Sequence, residues 1–382
     1  MKIINIIKIA RLLAGLVLLL AERDTVCSAE PPVSPDAFQP ARPGYTYVFP
    51  RDHGSHDQFR TEWWYYTGHL TAEDGHRFGY QLTFFRRGVD DPQVQANPSR
   101  WAIRQLYLAH AALSDLSQRS FLYAEKVSRA GLGKAGADTG QLRVWIDRWA
   151  TDTRRPDDPR QHVQASADGF ALDLSVTPEK APVIHGEQGI SRKGSGAGQA
   201  SHYYSLTRLA TSGTVTLGAE RFTVTGTSWM DHEFGSGDLG EELVGWDWFS
   251  VQLDNNTELM LYHLRRTDGQ PDPVSSGTLI SPDGRTQHLA LADFRVDVLD
   301  RWRSRASGAE YPSRWRISVP SQSLTLEVTP LLADQELITR RSTQVTYWEG
   351  AVQIRGTLGT AAVTGQGYAE LTGYAERFRR KL

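Results

Sequence analysis

A single cysteine in 382 residues, Cys27, leaves no disulfide framework and no multi-thiolate zinc or iron–sulfur site. Positive charge is not in surplus: 42 Lys and Arg stand against 44 Asp and Glu, a formal net charge of −2. The chain therefore lacks the basic field with which a nucleic-acid binder meets phosphates, and no nucleic-acid partner is expected. No second apolar run reaches about 18 residues, so no membrane span is expected in the mature chain. There is no G-x-S-x-G for a nucleophile elbow and no H-E-x-x-H for a zinc protease. Gly131 to Gly136 does fit G-x-G-x-x-G, but a turn and a strand follow it rather than a helix, so a dinucleotide site is rejected.

What is present begins with an address. Lys2, Lys8 and Arg11 precede an apolar run from Leu12 to Ala21, and Cys27-Ser28-Ala29 closes the segment with small residues, the pattern of an export signal cleaved after Ala29. Cleavage would remove four basic and two acidic residues, together with the only cysteine, and bring the net charge to −4. Lipid attachment at Cys27 is the rival reading, disfavoured by the bulk of Val26 before it. The expectation is a periplasmic or secreted protein, with residues 1–29 as signal, 30–44 as linker, and two domains at 45–225 and 226–382.

Past Thr61 the apolar residues alternate in short runs broken every eight to twelve residues by Gly, Pro, Asn or Asp, the grammar of an antiparallel all-β barrel or sandwich. Two aromatic strands, Thr61 to Leu70 (TEWWYYTGHL) and Phe78 to Phe85 (FGYQLTFF), flank the hairpin signal Asp74-Gly75. Further strands are expected at Trp101 to Ser114, Leu142 to Trp149, Phe170 to Thr177, Tyr203 to Leu209 and Thr214 to Leu217. Arg86 to Arg100, Thr151 to Arg160 and His185 to Ser201 read as loops, the last as mobile. About 180 residues after the first hairpin, GWDWFSVQL, the turn Asp254-Asn255-Asn256 and ELMLYHLR restart the same pattern, a weak internal repeat that predicts two related modules. Only the tail Tyr374 to Lys381 reads as briefly helical.

Alternation along a strand sorts the polar residues by face. Glu62 shares a side with Trp64 and Tyr66. Trp229, Asp231 and Glu233 share a side opposite Met230, His232 and Phe234, while Asp247 lies opposite Trp246 and Trp248. A carboxyl among aromatic rings is held towards its protonated form and can serve as a general acid. Taken singly, Glu62, Asp231 or Asp247 reads first as a hydrogen-bond or ion-pair partner that only holds strands in place. The run Asp231-His232-Glu233 between Trp229 and Phe234 is what argues for chemistry. His110 and His202 are proton-transfer candidates that alone read as satisfied core histidines. Adjacent strand residues diverge and no second histidine cluster completes a ligand set, so no metal site is expected.

TEWWYYTGHL, FGYQLTFFR, SHYYSLTRL, TSWMDHEFGS, GWDWFSVQLDN, ELMLYHLR, YWEGAVQIRG and GQGYAELTGY together resemble the secreted, lipocalin-like AttH family, which is similar to carotenoid 1,2-hydratase. The resemblance runs from about Tyr45 to Tyr374. It implies two tandem calycin-like β-barrel domains packed side by side, with a ligand site lined by both. It further implies cofactor-independent addition of water to a carbon–carbon double bond of a terpenoid or carotenoid-like molecule. Matched positions then give Asp231 as the acid, His232 or Glu233 to orient water, and Trp229, Trp246 and Trp248 as cation-facing rings. Glu62, Trp64, His110, Tyr203 and Asp247 complete the expected substrate-binding wall. A non-enzymatic periplasmic carrier of a lipophilic ligand, serving an ABC-type permease, is the second expectation. Carbohydrate binding through exposed tryptophans is the third.

Overall fold

A computed structural model describes residues 38–378 apart from 100, 156, 157 and 197; the expected export signal lies outside these residues. The chain is almost wholly β. Its first strands are β1 (Thr61–Ala72), β2 (Arg77–Gly88), β3 (Gln105–Asp115), β4 (Ser120–Arg129), β5 (Ala135–Ala137), β6 (Arg143–Ile146) and β7 (Trp149–Asp152). There follow β8 (Gln161–Ala167), β9 (Phe170–Pro178), β10 (Val183–Ile184), β11 (Ser191–Arg192), β12 (Ala200–Leu217) and β13 (Glu220–Gly235). They form one antiparallel sheet in the order β4-β3-β2-β1-β13-β12-β9-β8-β7-β6-β5, with β10 and β11 also paired to β12. Its ends curl together where β3 and β4 meet β6, giving a nearly closed barrel.

The second sheet contains β14 (Leu243–Leu253), β15 (Glu258–Arg266), β16 (Ser276–Ile280), β17 (Thr286–Ala290) and β18 (Arg295–Arg303). It continues through β19 (Glu310–Val319), β20 (Leu324–Pro330), β21 (Glu336–Ile338), β22 (Thr346–Leu358) and β23 (Ala361–Thr372). The order β17-β16-β15-β14-β23-β22-β20-β19-β18 makes a half-barrel. Each sheet's first strand therefore pairs on one side with the strand that follows it and on the other with its sheet's last strand: β1 between β2 and β13, β14 between β15 and β23. The internal repeat is a repeat of topology. The expected division at 225/226 falls inside β13, whose whole length pairs in the first sheet; the chain crosses between sheets at 236–242.

Local chemistry explains the hairpins. Gly75 takes φ +86° in the Asp74-Gly75 turn, and Asn256 takes φ +64° in the turn after β14, conformations that Gly and Asn tolerate best. Several expected elements shift. The strand expected from Trp101 starts at Gln105. Leu142 to Trp149 divides into β6 and β7 around Asp147 at φ +54°, and the two strands expected between Tyr203 and Leu217 are one strand with a bulge between Leu206 and Leu209. The loop after β2 contains a five-residue helix, Pro92–Ala96, whose N-cap Asp91 accepts from the backbone of Gln93 and Val94. The 185–201 loop contains β11, and its His185 is wholly buried. The described part of the expected tail helix, Tyr374 to Phe378, is not helical.

The barrel interior is filled by one face of the strands: Trp64 and Tyr66 from β1, with Phe78, Tyr80, Leu82 and Phe84 from β2, each fully buried. Burial stabilises such side chains by about 1.5–3 kcal/mol each. The opposite face of β1, β2, β12 and β13 meets the second sheet. At Gly79 the sheets come so close that a Cβ would stand 2.6 Å from Tyr368 Oη and 2.8 Å from Ala351 Cβ. Among the described residues no helix is long and apolar enough to cross a membrane.

Candidate active site

Where the two sheets stand further apart they enclose a cavity of about 190 Å³ with walls from both. Strand register builds the first wall. Asp231 lies opposite Tyr65 on one side and Ser205 on the other, and Glu233 opposite Trp63 and Tyr203, so these residues share the cavity face of neighbouring strands. The second wall follows the same rule: Trp248 pairs with Glu370, which pairs with Glu349, a row across β14, β23 and β22. Rings from the two walls meet edge to face, Tyr65 on Trp248 at 5.3 Å and 82°.

Asp231 is 4% exposed. Burial pushes its carboxyl up to about 7, against the pull of hydrogen bonds from Ser205, Trp229 and Tyr203, with the charge of Glu233 adding to the rise. Both well-defined donors converge on one oxygen: Trp229 Nε1 donates to Oδ1 at 2.7 Å, and Ser205 Oγ donates to the same atom. His185 Nε2 stands 2.6 Å from Ser205 Oγ and its Nδ1 2.9 Å from Thr278 Oγ1. Since Ser205 spends its proton on Asp231, the imidazole donates to Ser205 and accepts from Thr278. Burial keeps His185 neutral, its pKa down to about 3. This chain fixes Asp231 with Oδ1 as acceptor, leaving Oδ2 to carry a proton.

Two further acids face the cavity from the second sheet. Burial pushes Glu370 to about 7, opposed by Trp246 Nε1, which donates to it at 3.2 Å. Burial and the charges of Glu370 and Asp231 hold Glu349 well above the usual carboxylate range, while Tyr65 donates its phenol to Glu349 Oε1 at 2.5 Å. Glu349 Oε2 is buried without a hydrogen-bond partner. The remaining cavity carboxyl, Glu233, is ion-paired with Lys193 at 2.7 Å and accepts from Ser201. Lys193 Nζ also lies over the rings of Tyr203 and Tyr262, at 5.5 and 4.9 Å.

A family model described as AttH-like matches residues 40–374. The chain belongs to the AttH-like family. An AttH protein from Nitrosomonas europaea, known by crystal structure, is 37% identical, with 88% of this chain and 99% of that one covered at a TM-score of 0.78. Kievitone hydratase from Nectria haematococca has the same fold at 14% identity, covering 89% and 98% of the two chains with a TM-score of 0.67. CghA does so at 14% identity, 90% and 97% coverage and a TM-score of 0.55. No match is found among curated proteins.

The cavity of this AttH-like chain gathers Asp231, Glu233, His110, Tyr203, Trp246 and Trp248 from the expected site residues. Trp229 sits behind Asp231 as a donor. His110 is neutral, lowered to about 3 by burial, and both its nitrogens are engaged, Nδ1 with Tyr347 and Nε2 with Ser342 at 2.8 Å each. Glu62, Trp64 and His232 are not in the cavity: strand alternation turns them to the opposite face, into the barrel. Trp64 stacks on His232 there, their centroids 4.8 Å apart. Asp247 likewise faces away from Trp246 and Trp248, bonded to Arg265 at 2.9 Å and to Tyr374 at 2.9 Å. The expected Asp231-His232-Glu233 trio is thus split across the sheet.

Inside the barrel, His56, Glu62 and His232 bring ligating atoms within 4.8 Å of one another, a group of metal-ligand type that spacing did not reveal. Glu62 Oε1 is held by both imidazoles, at 2.7 and 2.8 Å, and Oε2 by Arg86 Nε at 2.9 Å. Burial works to raise Glu62, but the Arg86 charge and the two imidazole hydrogen bonds outweigh it and hold the carboxyl well below its usual range. With a guanidinium on the same carboxylate, the group is an ion cluster that pins β1 to β2 and β13, although Arg86 Nη1 is left without a partner. Sequence reasoning missed Glu349, Glu370, Tyr65, Lys193 and His185. The two glutamates lie within YWEGAVQIRG and GQGYAELTGY, motifs that carried the family resemblance, so the signal was present in the second module.

Proposed function

We propose that this protein binds an apolar, alkene-bearing small molecule between its two sheets and adds water across a carbon–carbon double bond by acid catalysis. The observation that carries the reading is Asp231, a buried carboxyl poised near neutrality on an aromatic wall. In the proposed step the Asp231 O–H bond breaks and its proton forms the new C–H bond, leaving a carboxylate and a tertiary carbocation. Trp248 and Tyr203 line the cavity beside that charge and supply its aromatic surroundings. Water then forms the C–O bond and its surplus proton returns to Asp231, so alkene and water are the only reagents. A sugar platform needs exposed rings, but of the four tryptophans that discriminate it from an enclosed pocket, Trp64, Trp229 and Trp248 are at most 6% exposed and Trp246 is half-buried, which disfavours carbohydrate binding there. The hydratase name of a protein with the same fold agrees with the reading. We further infer export through residues 1–29, testable by N-terminal sequencing of the mature protein.

The test starts with native mass spectrometry of protein taken from its own host, followed by identification of the released molecule. Incubation of that molecule in isotopically labelled water should yield its labelled adduct with wild type and none with Asp231→Asn. Retention of an unaltered molecule, indifferent to Asp231→Asn, would replace the hydratase with a carrier.

A further inference from the structure

Among the described residues that line the cavity, three buried polar atoms have no hydrogen-bond partner, Gln81 Oε1, Arg86 Nη1 and Glu349 Oε2, and of these the glutamate oxygen belongs to the wall opposite the proton donor. Glu349 lines the wall opposite Asp231, is 1% exposed, and leaves Oε2 without a partner. Leaving a buried polar atom unpaired costs about 1–3 kcal/mol, so a structure retains one where a ligand or ordered water completes it. The neighbouring bond defines which kind of group fits. Tyr65 is buried and its phenol is held well above its usual range, so it remains a donor, and it spends its proton on Glu349 Oε1. Oε1 therefore behaves as the carbonyl oxygen of a neutral carboxyl group. The carboxyl proton then belongs on Oε2, the atom with nothing to receive it. On the same wall, Glu370 is occupied by Trp246, and across the cavity Asp231 Oδ1 and Glu233 are occupied by Trp229, Ser205 and Lys193.

We propose that Glu349 is an anchoring donor for an oxygen of the ligand, so that this cavity takes an apolar skeleton bearing a carbonyl or hydroxyl group in preference to a bare hydrocarbon. Tyr65 is its positioning partner. The proposal rests on the reading of the cavity as an apolar-molecule site, and it adds polarity and orientation: the oxygen lies on the second-sheet wall and the reacting double bond on the Asp231 wall. A site built to hydrogen-bond a substrate oxygen rejects the analogue that lacks it more strongly than an apolar pocket rejects a missing methylene.

The experiment measures binding by tryptophan fluorescence, since Trp63, Trp246 and Trp248 line the cavity. The probes are geranylacetone and the hydrocarbon of the same skeleton with CH2 in place of the carbonyl. Wild type should bind the ketone about tenfold more tightly. Glu349→Gln, whose amide accepts from Tyr65 and donates from nitrogen, should keep that preference. Glu349→Met, checked for folding by thermal unfolding, should bind the two probes alike. Equal binding of both probes by wild type, or a preference that survives Glu349→Met, overturns the anchor while leaving the cavity reading intact. Failure of wild type to bind either probe overturns both.

Discussion

Asp231→Asn isolates the cost of holding an ionisable group where water is scarce. The native carboxyl titrates near 7 instead of the usual 3.8. Between those values the native state keeps a proton that the unfolded chain has released, so the stability of the wild type falls as pH rises. At about 1.36 kcal/mol per pH unit the full loss is about 4 kcal/mol, reached above pH 7. Asparagine preserves the shape: its Oδ1 still accepts from Trp229 and Ser205, and its amide replaces the O–H, yet it carries no charge at any pH. Integration of the two titrations predicts that the stability of the variant relative to wild type grows by about 2 to 3 kcal/mol between pH 5 and pH 8. Glu370 and the neutral histidines add their own pH dependence to both proteins, which the difference cancels, whereas the coupling by which the Asp231 charge raises Glu349 remains part of the difference. Urea unfolding of both proteins across this range, followed by tryptophan fluorescence, reads the quantity directly. Parallel pH profiles would mean that Asp231 is already ionised in the native protein, and the proton-donor role would fall with that result.

Ser205→Ala removes a donor that favours the ionised form of Asp231, so the pH at which this difference develops should rise by roughly one unit; an unchanged midpoint would mean that the His185–Ser205 chain does not act on the acid. Arg86→Met should cost about 3–5 kcal/mol, because it leaves Glu62 charged and buried against two imidazoles, and adding Glu62→Gln should recover part of the loss in the same unfolding assay. If the single variant is as stable as wild type, the barrel cluster is not an ion cluster. Gly79→Val drives a side chain into Tyr368 and Ala351 of the second sheet and should lower stability by about 1–3 kcal/mol, read as a lower Tm.

Alternation and turn chemistry made the strands legible because each depends on residues a few positions apart. Trp246, Trp248, Tyr203 and Asp231 could be named on that basis together with the family resemblance. Which side of a strand faces the cavity could not. Glu62 and Trp64 alternate as regularly as Trp63 and Tyr65, and in a barrel whose outer face packs on a second sheet both sides are buried, so hydropathy does not distinguish them. Alternation does put His232 opposite Asp231 and Asp247 opposite Trp248, and both entered the expected site through the resemblance and the consecutive run Asp231-His232-Glu233 rather than through a shared face. Glu349 and Glu370 were hidden for another reason: their significance lies in facing each other across β22 and β23 and in lying over a wall more than a hundred residues earlier. The equivalence of β13 and β23 in the repeated topology is the route by which they could have been found.

On the proposed reading the two walls divide the work between reaction and recognition. The proton donor and the hydrogen-bond chain that sets it belong mainly to the N-terminal half of the chain, whereas Glu349, Glu370, Trp246 and Trp248 belong to the C-terminal half. On that reading the reaction and the choice of molecule are carried by separate stretches of chain within one repeated topology. A hybrid gene that joins the N-terminal half of one relative to the C-terminal half of another at 236–242 should inherit its reaction from the first parent and its ligand preference mainly from the second.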